Sequence, residues 1–422
     1  MIKKFIVPAF LLFSVISFAQ QATSSPYSFY GIGDVKFKGT AENRAMGGLT
    51  IFSDSIHLNF QNPASYTSLK LTTFSLGGTY LTTKLTTSSQ SENARRTALD
   101  YLAVGLPLGK FGVGFGLMPY SSVGYNIEST TLATTTPVVA PSEIKKYNGS
   151  GGLNKFFAGF GYVITPKLSA GVDVSFNFGK IETYSLRFVD GLQYGSREKN
   201  LSDIAGLTFT AGLTYKTKIN NKLSGFGSLT YSPETKLRSV NTRNIATIQY
   251  SSSGAEILVD PLDIDVANTT IKMPSKMALG FGIGQNKKWM LGTEVTFQQS
   301  SGMGNRFNDI TNVKFENAIK YNIGGYYIPN FTSFSKYYQK IVYRAGLRYE
   351  NTGLVINDKS INDLGVTAGL GLPIIGIFSN INIGVEYGKR GTTSANLVQE
   401  NYTNITIGLS LNDKWFQKKR FY

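Results

Sequence analysis

Few side chains in this 422-residue chain have the type or spacing to do chemistry. There is one histidine, His57, and no cysteine. Cys-His catalysis is therefore absent, and Ser-His catalysis would need His57 itself, whose only acid close in sequence is Asp54. A structural role suits His57 better. Asp260, Asp263 and Asp265 form a short acidic run whose oxygens suit Ca²⁺, although a solvated acidic loop reads the same way and is commoner. Gly112, Gly114 and Gly116 are spaced like part of a phosphate loop, but no helix follows them. The expectation is no enzyme, no metal centre and no cofactor.

The segments that position these residues are monotonous, with apolar and polar residues alternating at period two, the mark of half-buried strands. One segment sets Ala170, Val172, Val174, Phe176 and Phe178 against Gly171, Asp173, Ser175, Asn177 and Gly179. Another sets Leu291, Val295 and Phe297 against Glu294, and a third sets Tyr343, Leu347 and Tyr349 against Arg344, Arg348 and Glu350. Ile383, Val385 and Tyr387 stand opposite Glu386. We count about fourteen such segments from Thr72 onward, an even number as in bacterial outer-membrane barrels.

The connections alternate as well. Leu108–Lys110, Thr165–Lys167, Asn220–Lys222 and Gln285–Lys288 are short. Glu128–Gly152, Val189–Ser202, Arg238–Thr269, Asn351–Asn362 and Lys389–Asn401 read as long polar loops. Short turns on one side and long loops on the other are the layout of an outer-membrane β-barrel, with the short turns periplasmic. Pro329–Lys340 is long on the short side and breaks the rule. A barrel wall meets lipid on one face and a lumen on the other, so Asp173, Glu294, Arg344 and Glu386 are expected to face the lumen. Pro119 falls inside a strand, where it costs a ladder hydrogen bond. It marks either a kink that opens the wall or the end of the membrane segment.

Residues 1–19 read as a signal peptide, with Lys3 and Lys4 ahead of an apolar run and Ser17-Phe18-Ala19 as the cleavage site. The outer membrane of a Gram-negative bacterium is the expected location, with both termini periplasmic. The formal charge of +16 then points to anionic lipid and lipopolysaccharide as neighbours. No basic recognition helix is present, so nucleic acid is not an expected partner. Residues 20–70 form a periplasmic lead-in, Gln20–Tyr30, followed by a compact insert. Residues 71–422 form the barrel and a basic tail. The insert, Gly39–Tyr66, breaks the pattern: Gly47-Gly48 permits a sharp turn, and Asn62-Pro63 stops whatever precedes it.

Arg44–Gly48 (RAMGG), Gln61–Tyr66 (QNPASY) and the strand that follows resemble the N-terminal hatch of the FadL-like family. The leader SPYSFYGIGD and the ending GLSLNDKWFQKKRFY resemble its Bacteroidota-type members. The resemblance implies a fourteen-stranded all-β transmembrane barrel with a hatch inside its lumen. Only Asn62, Pro63 and Ala64 match a family motif position by position, and the role implied for them is folding the hatch. Two functions follow. One is passive transport of a hydrophobic small molecule. The alternative is a non-transporting structural or adaptor subunit of an outer-membrane assembly or secretion complex, with a protein partner.

Overall fold

The computed structural model describes residues 23–131, 141–304, 312–333, 335–374 and 379–415. Residues 1–22, Phe416 and the tail from Lys418 to Tyr422 lie outside these residues. The period-two segments are strands of one antiparallel sheet, and fourteen of them close a barrel wall. In chain order they are β1 (Thr72–Thr86), β2 (Ser91–Leu108), β3 (Phe111–Val123), β4 (Glu143–Thr165) and β5 (Leu168–Val189). Next come β6 (Gly195–Lys218), β7 (Ser224–Ser232), β8 (Lys276–Gln285), β9 (Trp289–Gln298) and β10 (Ala318–Tyr327). The last are β11 (Val342–Ile356), β12 (Lys359–Pro373), β13 (Asn380–Arg390) and β14 (Gln399–Asp413). Each pairs with its sequence neighbour, and β1 also pairs with β14 from Thr72↔Asp413 to Thr86↔Gln399, which closes the ring.

Alternation sorts the side chains as the pleat requires. Val172, Val174, Phe176 and Phe178 on β5 point outward and are exposed, whereas Asp173, Ser175 and Asn177 between them are buried. The outward apolar band stops part-way up. Above it the outer face carries the exposed ion pairs Lys180–Asp203 and Lys199–Glu182. Charges this exposed belong to water, so the upper parts of β5 and β6 rise beyond the apolar band.

Two expectations are corrected here. Arg238–Thr269 is not an irregular loop: Thr235–Tyr250 pairs with β6 and with Glu256–Ile264, forming a ribbon above the band. Likewise Asn126–Thr131 pairs with the start of β4. These stretches are polar but rich in Thr, Val and Ile, and β-branched residues favour the extended chain even without an apolar face. The second correction concerns the lead-in. Its described part, from Thr23, sits at the end of the long connections, not beside the short turns. Tyr27 Oη donates to the Val398 carbonyl, and Asp34 and Val35 pair with Ser122 and Ser121 at the top of β3. From there the chain runs down through the ring of strands and enters β1 at the short-turn end.

Candidate functional site

Residues 40–69 fold against the inner face of the wall. Thr40 and Asn43 form a capping box at the start of a five-residue helix, α1 (Ala41–Ala45). Gly47 and Gly48, with φ of 71° and 87°, then turn the chain back. Gly47 N donates to Thr367 Oγ1 at 2.9 Å. Asn62 Oδ1 accepts from Ala64 N at 3.1 Å, and Asn62 Nδ2 donates to the Leu213 carbonyl and Ser228 Oγ, both at 3.1 Å. Pro63 opens a short 3₁₀ helix, Pro63–Ser68, whose Ala64 is fully buried. The wall meets this helix with glycine. A Cβ on Gly112 would strike the Tyr66 carbonyl, and one on Gly171 would lie 2.5 Å from the Pro63 carbonyl carbon. Gly112 and Gly114 thus serve close backbone approach, not phosphate binding.

The four charges expected to face the lumen are all buried. Glu294 accepts from Thr50 N at 2.9 Å and from Thr50 Oγ1. Asp173 receives Ser175 Oγ at 2.7 Å and lies 3.4 Å from Tyr66 Oη. Arg344 donates to Asn382 Oδ1 at 2.9 Å, and Asn382 in turn donates to Glu42 Oε1 on α1 at 3.0 Å. Glu386 pairs with Arg348 at 2.9 Å and accepts from Asn404 at 3.1 Å. Three of the four therefore reach the insert directly or through one side chain.

His57 lies between two acids: Nδ1 is 2.7 Å from Asp54, as sequence proximity suggests, and Nε2 is 3.4 Å from Glu42 on α1. Burial works against its charged form, but the two carboxylates outweigh it and raise the imidazole pKa. Burial likewise opposes the Asp54 carboxylate, and His57 overcomes it, holding the acid below the usual range. Among the described residues, no hydroxyl is hydrogen-bonded to His57. Asp260 and Asp263 sit three residues apart on one strand and so face opposite ways. No group of acids and histidine suited to a metal occurs among the described residues.

Pro119 disturbs the wall without ending the strand. The pairing of β3 with β4 slips between Pro119 and Ser121, so Tyr120 bulges. On the other edge, β3 leaves β2 after Leu117. Asp34 and Val35 pair with the freed β3 edge at Ser122 and Ser121, and Lys36 N donates to the Tyr120 carbonyl at 3.0 Å.

Above the insert, a cavity of about 350 Å³ remains inside the ring. Its lining includes Arg348, which pairs with Asp363 at 3.0 Å, and Arg390, which pairs with Asp34 at 2.7 Å. Both arginines were missed as a network. The alternation of β11 showed Arg348 and Glu350 on the inner face, but their partners lie on strands distant in sequence.

The BamG family model matches residues 1–422. No curated protein matches the sequence. Among solved structures, the Pseudomonas putida toluene transporter TodX superposes with a TM-score of 0.58 at 17% identity, over 90% of this chain and 98% of its own. The Ralstonia pickettii toluene transporter TbuX gives 0.58 at 15%, over 89% and 99%. A Pseudomonas aeruginosa FadL homologue gives 0.56 at 12%, over 90% and 98%. At these identities the likeness is one of fold: an outer-membrane β-barrel of FadL-like architecture.

Proposed function

The chain belongs to the BamG family, and from that membership we propose that it is a non-transporting structural or adaptor subunit of an outer-membrane protein assembly complex. The observation that carries this reading is the character of the lumen. The insert fills the short-turn half, with its backbone against wall glycines. The space above is lined by charge. Eight basic and six acidic side chains border it, including Arg44, Arg96, Lys276, Asp100 and Glu400. Sites for hydrophobic ligands are mostly apolar. Passing such a ligand here would strip water from charged groups and return no hydrogen bond.

In this reading the insert, with Gly47, Gly48, Asn62, Pro63 and Ala64 as its fold-setting residues, is a permanent plug. Residues 71–422 are the barrel, held in the outer membrane among lipid and lipopolysaccharide, with the short turns and the end of β14 on the periplasmic side. The ribbon Thr235–Ile264 and the other raised strands are surfaces for a protein partner. The resemblance of SPYSFYGIGD and of the ending to Bacteroidota-type members supports a place among them.

Purification from native membranes in mild detergent tests the proposal. A stoichiometric protein partner is the expected result. A monomer carrying a detergent or lipid tail between insert and wall would overturn it. One observation favours the second reading, passive transport of a hydrophobic small molecule. The β2–β3 parting above Leu117 is where such a ligand would leave sideways, and the superposed TodX and TbuX are toluene transporters. Against that, Asp34 and Val35 occupy the β3 edge of the parting.

A further inference from the structure

The cavity above the insert contains more positive charge than its ion pairs consume. Arg348 engages Glu350, Asp363 and Glu386 at 3.4, 3.0 and 2.9 Å. Arg390 and Lys36 hold Asp34 at 2.7 and 3.2 Å, and Arg44 reaches Asp100 at 4.0 Å. Glu400 accepts from Ser25 and lies 4.0 Å from Arg390. Every acid of the lining thus has a partner. Lys38, Lys276 and Lys320 line the same space, and their ammonium groups have no hydrogen bond or ion pair among the described residues. Lys38 Nζ instead rests 3.4 Å from the centre of the Tyr120 ring, and Lys320 Nζ lies 5.9 Å from that of Phe37. Arg96, also on the lining, has a buried Nε without a partner.

Ammonium groups gathered away from bulk water are costly when the nearest carboxylates, Glu350 and Glu294, form no ion pair with them. The cost shows on Lys38, which lies just ahead of the insert. Burial, and then Lys276, Lys155 and Lys320, hold its pKa well below the usual lysine range, with Glu350 opposing. A phosphate group supplies what is missing: two negative charges and several acceptor oxygens for charge-assisted hydrogen bonds.

We propose that this cavity is an anion site in which Lys38, Lys276 and Lys320 hold a phosphate group. The inference goes beyond the adaptor role and does not rest on it. About 350 Å³ is more room than a bare phosphate fills, so the group arrives with further atoms attached. It comes either from a phosphorylated lipid, entering at the β2–β3 parting above Leu117, or from a free phosphate compound. A bound phosphate favours the charged form of Lys38.

The test uses the full chain, purified in a neutral detergent and phosphate-free buffer, and calorimetric titration with inorganic phosphate and with dihexanoyl phosphatidic acid. At least one probe is expected to bind. Tighter binding of the lipid assigns the lipid source, and equal binding assigns free phosphate. The variant Lys38→Met/Lys276→Met/Lys320→Met is expected to bind about tenfold or more weakly, and the corresponding Arg variant to retain binding. Heat-dependent gel mobility shows whether each variant keeps its barrel. If the triple Met variant does not, Lys276→Met alone gives the same comparison. Binding of neither probe, or equal affinity in the Met variant and the natural protein, overturns the assignment.

Discussion

In the half of the lumen beside the short turns, the insert meets the wall backbone to backbone. In the half beside the long connections, the two are joined through paired charges. Below, Gly112, Gly171 and Gly346 leave no side chain between the strands and residues 46–66, and Leu58, Phe60 and Tyr66 pack with Tyr101 and Phe157. Above, Asp34 and Ser25 are tied to Arg390 and Glu400, and a cavity remains. The lower half is built like a protein core, where shape decides and added volume is costly. The upper half is built like a buried ionic network, where removing one partner strands the others.

The difference gives each half its own vulnerability. The largest effect is expected from Arg348→Met, which leaves Glu350, Asp363 and Glu386 facing one another. It should cost about 3–5 kcal/mol, read from the urea midpoint of the barrel in lipid. Gly112→Leu is the matching insult below. Its side chain collides with the Tyr66 backbone and should cost about 1–3 kcal/mol, with the insert becoming open to protease. Thr50→Val removes the hydroxyl hydrogen bond to the buried Glu294, leaving the one from Thr50 N, and should cost about 1–3 kcal/mol in the same unfolding assay. If Arg348→Met proves harmless and Gly112→Leu severe, the upper half is not held by charge.

The packed half also holds His57, set between Asp54 and Glu42. Its folded pKa is raised, so the stability it contributes is fully present below the unfolded value of about 6.5. That contribution is lost as pH rises through the higher folded value. Unfolding midpoints of the natural protein should fall across that window, and His57→Gln should flatten the slope. The smallest effect belongs to the outer rim. Lys180→Ala breaks only an exposed pair and should change stability by about 0–1 kcal/mol.

What could be read in the sequence follows the same division. Period-two alternation makes the wall legible, because a strand between lipid and lumen must show both faces in its own sequence. Pro119 and Gly47-Gly48 were legible for a similar reason, since backbone geometry is written in a single residue. The raised strands were not, because along Thr235–Tyr250 the buried apolar residues change parity, from Leu237 to Ala246 and Ile248, and the polar remainder passes for a loop. The charge network was hidden for another reason: Arg390 and Asp34 are 356 positions apart, and only the closing of the ring brings them together. The upward course of Thr23–Val35 was equally unmarked, since nothing local says which end of a barrel a polar leader touches.

The central claim is that the insert is a permanent plug and not a gate. An introduced disulfide tests it most directly, because the chain has no cysteine of its own. A Cβ at Gly384 would stand 3.6 Å from that of Ala45, within the reach of a disulfide. Ala45→Cys/Gly384→Cys should therefore lock α1 to β13. Cells that depend on this protein should grow equally well with the bond formed or reduced, and the partner should co-purify in both states. Loss of function on oxidation, restored by reduction, would contradict the claim and make the insert a moving gate.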